Sequence, residues 1–199
     1  HHRPLPWRDE SCSPWGIMVS EVMLQQTPVA RVEPVWHEWM ARWPTPPDLA
    51  SSSQAEAVSA WGRLGYPRRA MRLHQAATAI SQNHHGQVPQ DLDALLSLPG
   101  IGDYTARAIR TFAFGIPEPV VDTNVRRVIA RAVGGQGEAG PPRTTADREA
   151  VWEVLSPQSA DTQVQGAKAL MELGAIVCTA RTPHCEQCPL RDACAWRLA

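Results

Sequence analysis

The sequence predicts an all-α protein, on three observations. No stretch alternates apolar and polar residues for long, as a half-buried strand would. No Asn-Gly hairpin turn occurs. Helix-start signals recur instead: Thr27 stands before Pro28, and Ser53 stands three residues ahead of Glu56.

The elements follow in order. A first helix is expected from Pro14 to Gln26. Thr27 offers an N-cap with Pro28 in the first turn, and the next helix runs towards Trp43, kinked or restarted at Pro34. Pro44, Pro46 and Pro47 read as a rigid turn. The capping box of Ser53 and Glu56 opens an Ala-rich helix to Trp61, broken by Gly62, Gly65 and Pro67. Arg68 to about His84 is helical, and Asp91 to Leu98 is a short helix. Tyr104 to Phe114, Asn124 to Val133, Asp147 to Leu155 and Asp161 to Cys178 complete the set. Gly134 to Thr144 is rich in Gly and Pro and reads as an exposed linker. Eight Trp, with many Ala and Leu, supply the core.

At 199 residues the chain can form one large domain or two small lobes. No apolar run approaches membrane-spanning length. The net charge of -1 does not announce a nucleic-acid binder. The distribution says more: of 19 Lys and Arg, one is a lysine, Lys168, and 18 are arginines. They bunch at Arg68, Arg69 and Arg72, at Arg107 and Arg110, and at Arg126, Arg127 and Arg131. Arginine suits bidentate phosphate contact, although for any one cluster a solvated helix face is the simpler reading.

Four cysteines are spaced Cys178-x6-Cys185-x2-Cys188-x5-Cys194. Four thiolates within seventeen residues can converge on one metal centre, either zinc or an iron–sulfur cluster. Zinc sites usually pair two CxxC units, whereas one CxxC occurs here, so spacing leans to iron–sulfur. Two disulfides are the weaker reading, because no secretory signal opens the chain. Cys12 stands apart as a free thiol.

Asp91 to Phe114 reads as helix, turn and helix, with the turn Leu98-Pro99-Gly100-Ile101-Gly102. Gly100 and Gly102 let a partner approach the backbone, and a helix N-terminus beside them suits an anion. This is the physics of a sequence-independent DNA phosphate clamp. LPGIGxxTA between two helices resembles the helix-hairpin-helix of the endonuclease III superfamily of DNA glycosylases.

The resemblance covers essentially the whole chain. It implies a two-lobed helix-hairpin-helix glycosylase fold. A six-helix lobe would span 15–133, with the hairpin at 91–114. A cluster lobe would combine 1–14 with 134–199 and carry a [4Fe–4S] loop at 178–194. The segment Val120 to Val128 looks like the one that carries the superfamily's catalytic Asp, here Asp122. Bifunctional members place a Schiff-base lysine where this chain has Tyr104, and Lys168 lies in a different predicted helix. A β-lyase needs an amine nucleophile, so the resemblance implies a monofunctional enzyme.

Ser20 to Thr27 resembles the adenine-DNA glycosylases of the MutY type, as do Leu5 to Arg8, Gly62 to Tyr66 and Met171 to Gly174. Those enzymes remove adenine mispaired with 8-oxoguanine. Glu21 shares a helix face with Ile17 and Leu24. Burial there would raise a carboxylic acid's pKa and keep it protonated as a general acid. Asp122 would stabilise or trap the oxocarbenium-like sugar, as in two-carboxylate glycosidases. By resemblance, Tyr104 and Asn124 position the same region, and Gln26 and Tyr66 are wedges that fill the space left by the flipped base. Trp7, Arg8, Leu24 and Glu172 look like the adenine pocket. Taken singly, each has a plainer role: Glu21 as a solvent-facing residue, Asp122 or Asn124 as an N-cap, Tyr104 as core.

The implied partner is double-stranded DNA with A·8-oxoguanine or A·G mispairs, bound by a monomer at the nucleoid of a bacterial cytoplasm, with no membrane. The cluster loop would present Arg181, Arg191 and Arg197 to phosphates. With the chain ending at Ala199, no C-terminal 8-oxoguanine-reading domain is present, so base excision is expected without secure discrimination of 8-oxoguanine. Two rivals remain: a mismatch thymine/uracil glycosylase of the same superfamily, and a non-catalytic helix-hairpin-helix DNA-binding module.

Overall fold

The structure, a computed structural model, describes residues 3–199; His1 and His2 lie outside the described residues. Among the described residues every regular element is helical and no strand occurs. The chain divides into two compact units, Arg3–Phe114 and Gly115–Ala199. This partition by contacts differs from the expected lobes: residues 3–14 pack with the first unit, and residues 115–133 with the second.

The first unit holds seven α-helices: α1 Pro14–Met23, α2 Val29–Arg42, α3 Pro46–Ser51, α4 Gln54–Trp61, α5 Arg68–Asn83, α6 Leu92–Ser97 and α7 Asp103–Phe114. Helix α1 begins where Ser13 accepts a hydrogen bond from Gly16 N, with Pro14 at the first position. It ends three residues before the expected Gln26, because Gln26 takes a left-handed backbone at φ +56°. Pro28, not Thr27, precedes α2, since the Thr27 hydroxyl is engaged with Leu64 O at 3.3 Å. Helix α2 continues through Pro34 without restarting. The expected proline turn is α3: Pro46 presets its first residue, and Asp48 Oδ2 accepts from Thr45 N at 3.0 Å and Thr45 Oγ1 at 2.6 Å. The box of Ser53 and Glu56 opens α4 as expected.

Tryptophans build the core of this unit. Trp7, Trp15, Trp36, Trp39, Trp43 and Trp61 are buried, and Trp39 meets Trp43 and Trp61 edge-on at 4.9 and 5.4 Å. Four of these indole N–H groups donate to backbone carbonyls. Trp15 donates to Trp43 O, Trp36 to Gly16 O, Trp39 to Ala60 O and Trp61 to Gly65 O. Helix α1 packs on α7, and α3 on α5. Gly100, at φ +81°, closes the hairpin between α6 and α7, and any Cβ there would meet Arg72 Cβ at 2.8 Å.

The second unit holds α8 Thr123–Ala132, α9 Thr144–Leu155, α10 Ala160–Glu172, a π turn Leu173–Val177 and the short α11 Ala195–Leu198. Val125, Val128, Val151, Leu155, Val164, Ala167 and Val177 form its apolar interior. Residues 134–143 are irregular, as expected, but they are pinned rather than a free linker. Arg126 donates to Ala139 O, Gly140 O and Pro141 O and pairs with Asp147 at 2.7 Å. No helix among the described residues is long and apolar enough to cross a membrane.

Candidate active site and cysteine centre

In the first unit the candidate acid sits on α1. Every residue of α1 from Trp15 to Met23 is buried, and Glu21 is 6 % exposed. It is therefore not a solvent-facing helix residue. Tyr104 is half-buried on α7, the helix packed against α1. Gln25 Nε2 ties the two helices by donating to Thr105 Oγ1 at 3.2 Å. Leu24 lies at the end of α1 and packs against the core. Trp7 packs edge-on to Trp36 at 5.8 Å, and the following Arg8 is half-buried. At the hairpin, a Cβ on Gly102 would meet nothing within 4 Å. That open space is what close approach by a phosphate requires.

The two candidate wedges share an unusual backbone. Gln26 and Tyr66 have φ of +56° and +50°, and His85 is the third non-glycine residue of this kind among the described residues. Such conformations cost roughly 1–3 kcal/mol and persist where the surroundings enforce them. Both side chains are exposed, Tyr66 at 63 %.

In the second unit Asp122 does two things at once. Its Oδ1 accepts from Val125 N at 2.7 Å, capping α8, while Oδ2 accepts from the Asn124 side-chain amide at 2.9 Å. Being a cap and being a catalyst are thus not exclusive for this carboxylate. Asn124 Oδ1 in turn accepts from Arg127 Nη2 at 2.8 Å. The same guanidinium donates to Gly174 O at 2.7 Å and Cys178 O at 2.7 Å. A continuous run of hydrogen bonds therefore links Asp122 to the first cysteine. Glu172 is buried at the end of α10, directly before the π turn.

All four loop cysteines are free of disulfides and line one concave site that opens to solvent, together with Arg131, Val177 and Trp196. Among the described residues, no three His, Cys, Asp or Glu side chains converge closely enough to hold a single metal ion. Four thiols around one common space fit an iron–sulfur cluster, which is held by cysteine thiolates. Arg131, 5 % exposed, donates to Cys178 Sγ at 3.5 Å and to Thr179 O and Ala180 O, and its guanidinium lies 4.8 Å from the Trp196 ring. Arg131 thus gives the Cys178 sulfur an N–H donor and packs the loop around it.

Arginine proved the least legible residue. Arg69, Arg126, Arg127 and Arg131 all turn inward to backbone carbonyls. Of the expected phosphate contacts in the cluster loop, Arg191 and Arg197 both pair with Glu186, at 2.7 and 2.8 Å. Sequence reasoning also passed over Gly174, where a Cβ would meet Asn124 backbone and side-chain atoms at 2.7–2.9 Å. Its position one turn before Cys178 was the available signal.

These features define a helix-hairpin-helix repair protein. Residues 19–154 match the family described as HhH-GPD superfamily base excision DNA repair protein, and residues 178–194 match the iron–sulfur binding domain of endonuclease III. The chain belongs to the HhH-GPD superfamily, and its residues 178–194 form the [4Fe–4S]-binding domain. It is 56 % identical over 198 residues to the adenine DNA glycosylase of Mycobacterium tuberculosis, covering all of this chain and 64 % of that protein. The chain thus spans just under two thirds of the length of this relative. It is 35 % identical to a thymine/uracil-DNA glycosylase of Pyrobaculum aerophilum, covering 96 % of this chain and 83 % of that one. A solved thermostable thymine-DNA glycosylase superposes with a TM-score of 0.84 at 28 % identity, covering 98 % and 89 % of the two chains.

Proposed function

We propose that this chain hydrolyses the N-glycosidic bond of adenine mispaired with 8-oxoguanine or guanine in double-stranded DNA, without lyase activity. The observation that carries the reading is the 56 % identity, over the full chain, to an adenine DNA glycosylase. The place of action would be the bacterial cytoplasm, at the nucleoid, with the protein a monomer.

The roles follow from chemistry. Gly100 and Gly102 of the hairpin hold the DNA backbone, and Gln26 and Tyr66 fill the space that the extruded base leaves. Trp7, Arg8, Leu24 and Glu172 receive the adenine. Glu21 donates a proton to a ring nitrogen of adenine, which makes the base a competent leaving group. The bond from adenine N9 to the sugar C1′ then breaks, and the electron pair leaves with the base. The Asp122 carboxylate stabilises the oxocarbenium-like sugar or adds to it. Asn124 keeps that carboxylate aimed by its 2.9 Å hydrogen bond, and Tyr104 steadies the same sugar region. Water adds to C1′, and Glu21, now ionised, takes its proton. The products are free adenine and an abasic site. The cluster, held by its four cysteines, cross-links the loop 178–194, and bond cleavage needs no electron from it.

A second reading, excision of thymine or uracil from mispairs with guanine, is favoured by the 0.84 TM-score to a thymine-DNA glycosylase. Cleavage of duplexes containing A·8-oxoguanine, A·G, T·G and U·G decides between them. Release of adenine is the expected result. Activity on T·G with none on A·8-oxoguanine overturns the proposal, and activity on none of the four leaves a DNA-binding module.

A further inference from the structure

Arg69, in the first turn of α5, binds two separate turns with one side chain. Its Nη1 donates to three carbonyls at the end of α1: Val22 at 3.2 Å, Met23 at 3.1 Å and Gln25 at 2.5 Å. Its Nη2 donates to Thr27 Oγ1 at 2.9 Å and to Leu64 O and Gly65 O at 3.2 and 3.1 Å. The guanidinium carbon lies 5.3 Å from the Trp61 ring and 5.4 Å from the Tyr66 ring. Burial disfavours its charge and lowers its pKa from the usual arginine value, and six oxygens offset that cost.

The two turns it joins are those that bear Gln26 and Tyr66, the residues held at positive φ. The α1 carbonyls to which it donates are those a helix end leaves unpaired. Gln26 is flanked by two of its ligands, Gln25 and Thr27, and Tyr66 directly follows a third, Gly65. Nε is buried without a partner, so the guanidinium has no edge left for a phosphate. The distance between the wedges is therefore not set by either loop alone: one planar cation spans both.

We propose that Arg69 is a positioning residue that fixes Gln26 and Tyr66 relative to each other, so that they enter the duplex together when the base pair opens. The inference rests on the wedge roles given above to Gln26 and Tyr66. It places the effect of Arg69 on opening of the pair, upstream of bond cleavage. Lysine cannot replace it, because a single ammonium has three donors and no planar fork.

The test uses cluster-loaded protein and the variants Arg69→Lys, Arg69→Met, Thr27→Val, Gln26→Ala and Tyr66→Ala. Fluorescence of 2-aminopurine placed beside the mispaired adenine reports opening. Single-turnover excision is measured on a paired A·8-oxoguanine duplex and on the same adenine left unpaired in a bulge. Arg69→Lys should slow opening and paired excision about tenfold or more, yet change bulge excision less than about threefold, because an unpaired base needs little wedging. Thr27→Val, which removes one ligand of Arg69, should show the same pattern more weakly. Combining Arg69→Lys with Tyr66→Ala should add little to Tyr66→Ala alone. Equal losses on paired and bulged substrates, or no loss, overturn the inference. If Gln26→Ala and Tyr66→Ala slow opening while Arg69→Lys does not, only the role of Arg69 falls. If those two leave opening unchanged, the wedge reading falls and takes Arg69 with it. Should Arg69→Met fail to fold, the Lys and Thr27→Val variants decide.

Discussion

Asn124 donates its side-chain amide to Asp122 Oδ2 at 2.9 Å, while Asp122 Oδ1 is occupied by Val125 N. The carboxylate is thus held at both oxygens. Asparagine caps a helix as well as aspartate does. Asp122→Asn should therefore leave the melting temperature and duplex binding nearly unchanged, yet cut adenine excision at least about 100-fold, the scale of one lost electrostatic stabiliser. Asn124→Ala should give a smaller loss with the cap intact. Single-turnover excision beside thermal melting checks both, and unchanged excision by Asp122→Asn would refute the role given to it.

Gly174 lies against Asn124 so closely that a methyl group has nowhere to go. Gly174→Ala should destabilise the protein by about 1–3 kcal/mol, the usual scale of overpacking. It should also slow excision, because the atoms that must yield belong to Asn124. Denaturant unfolding and excision rates measured together show whether the two effects travel as a pair.

Tyr104 offers no amine, and the chain's single lysine, Lys168, is half-buried on α10. Borohydride treatment during turnover should trap no covalent DNA adduct, and abasic product should stay unnicked until alkali is added. Efficient nicking without alkali would contradict the monofunctional reading.

The cysteine cavity predicts a visible signature. Purified protein should show the broad brown absorption of an iron–sulfur cluster, and iron and sulfide analysis should give four of each per chain. Cys188→Ser should lose most of that absorbance and lower the stability of the Gly115–Ala199 unit. Zinc in place of iron would refute the cluster assignment.

Burial pushes the Cys12 thiol up to about 11, with Asp9 adding to the effect. The folded state therefore disfavours the thiolate. Stability from this thiol is fully present below the ordinary value of 9.0 and is lost as pH rises towards 11. The urea midpoint should fall between pH 9 and 11 more steeply in the parent protein than in Cys12→Ala. At pH 8 Cys12 should resist alkylation in the folded protein.

Helices were readable because their starts are local: Ser53 with Glu56 opened α4 as written, and the hairpin around Gly100 lies where its glycines put it. Helix ends were less so. Gln26 turns left-handed two residues before Pro28, and Arg69, more than forty residues away in sequence, takes up the carbonyls left at that end. The same holds for the site. Glu21 and Asp122 could be picked out by neighbours and by likeness to a family. Arg127 could not, since its partners Gly174 and Cys178 are far along the chain. Arginine looks the same in sequence whether it faces solvent, a phosphate or three carbonyls.

The π turn Leu173–Val177 carries a last consequence. Cys178 N donates to Leu173 O at 2.6 Å, five residues back rather than four. One residue more than an α-helical turn thus separates buried Glu172 from Cys178. A five-residue π turn and a four-residue α turn carry the chain through nearly the same rotation, so the extra residue widens the turn without changing the direction in which Cys178 leaves it. The widened turn contains Gly174, the residue packed on Asn124. A deletion within 173–177 should therefore disturb the contact with Asn124 more than the direction of Cys178.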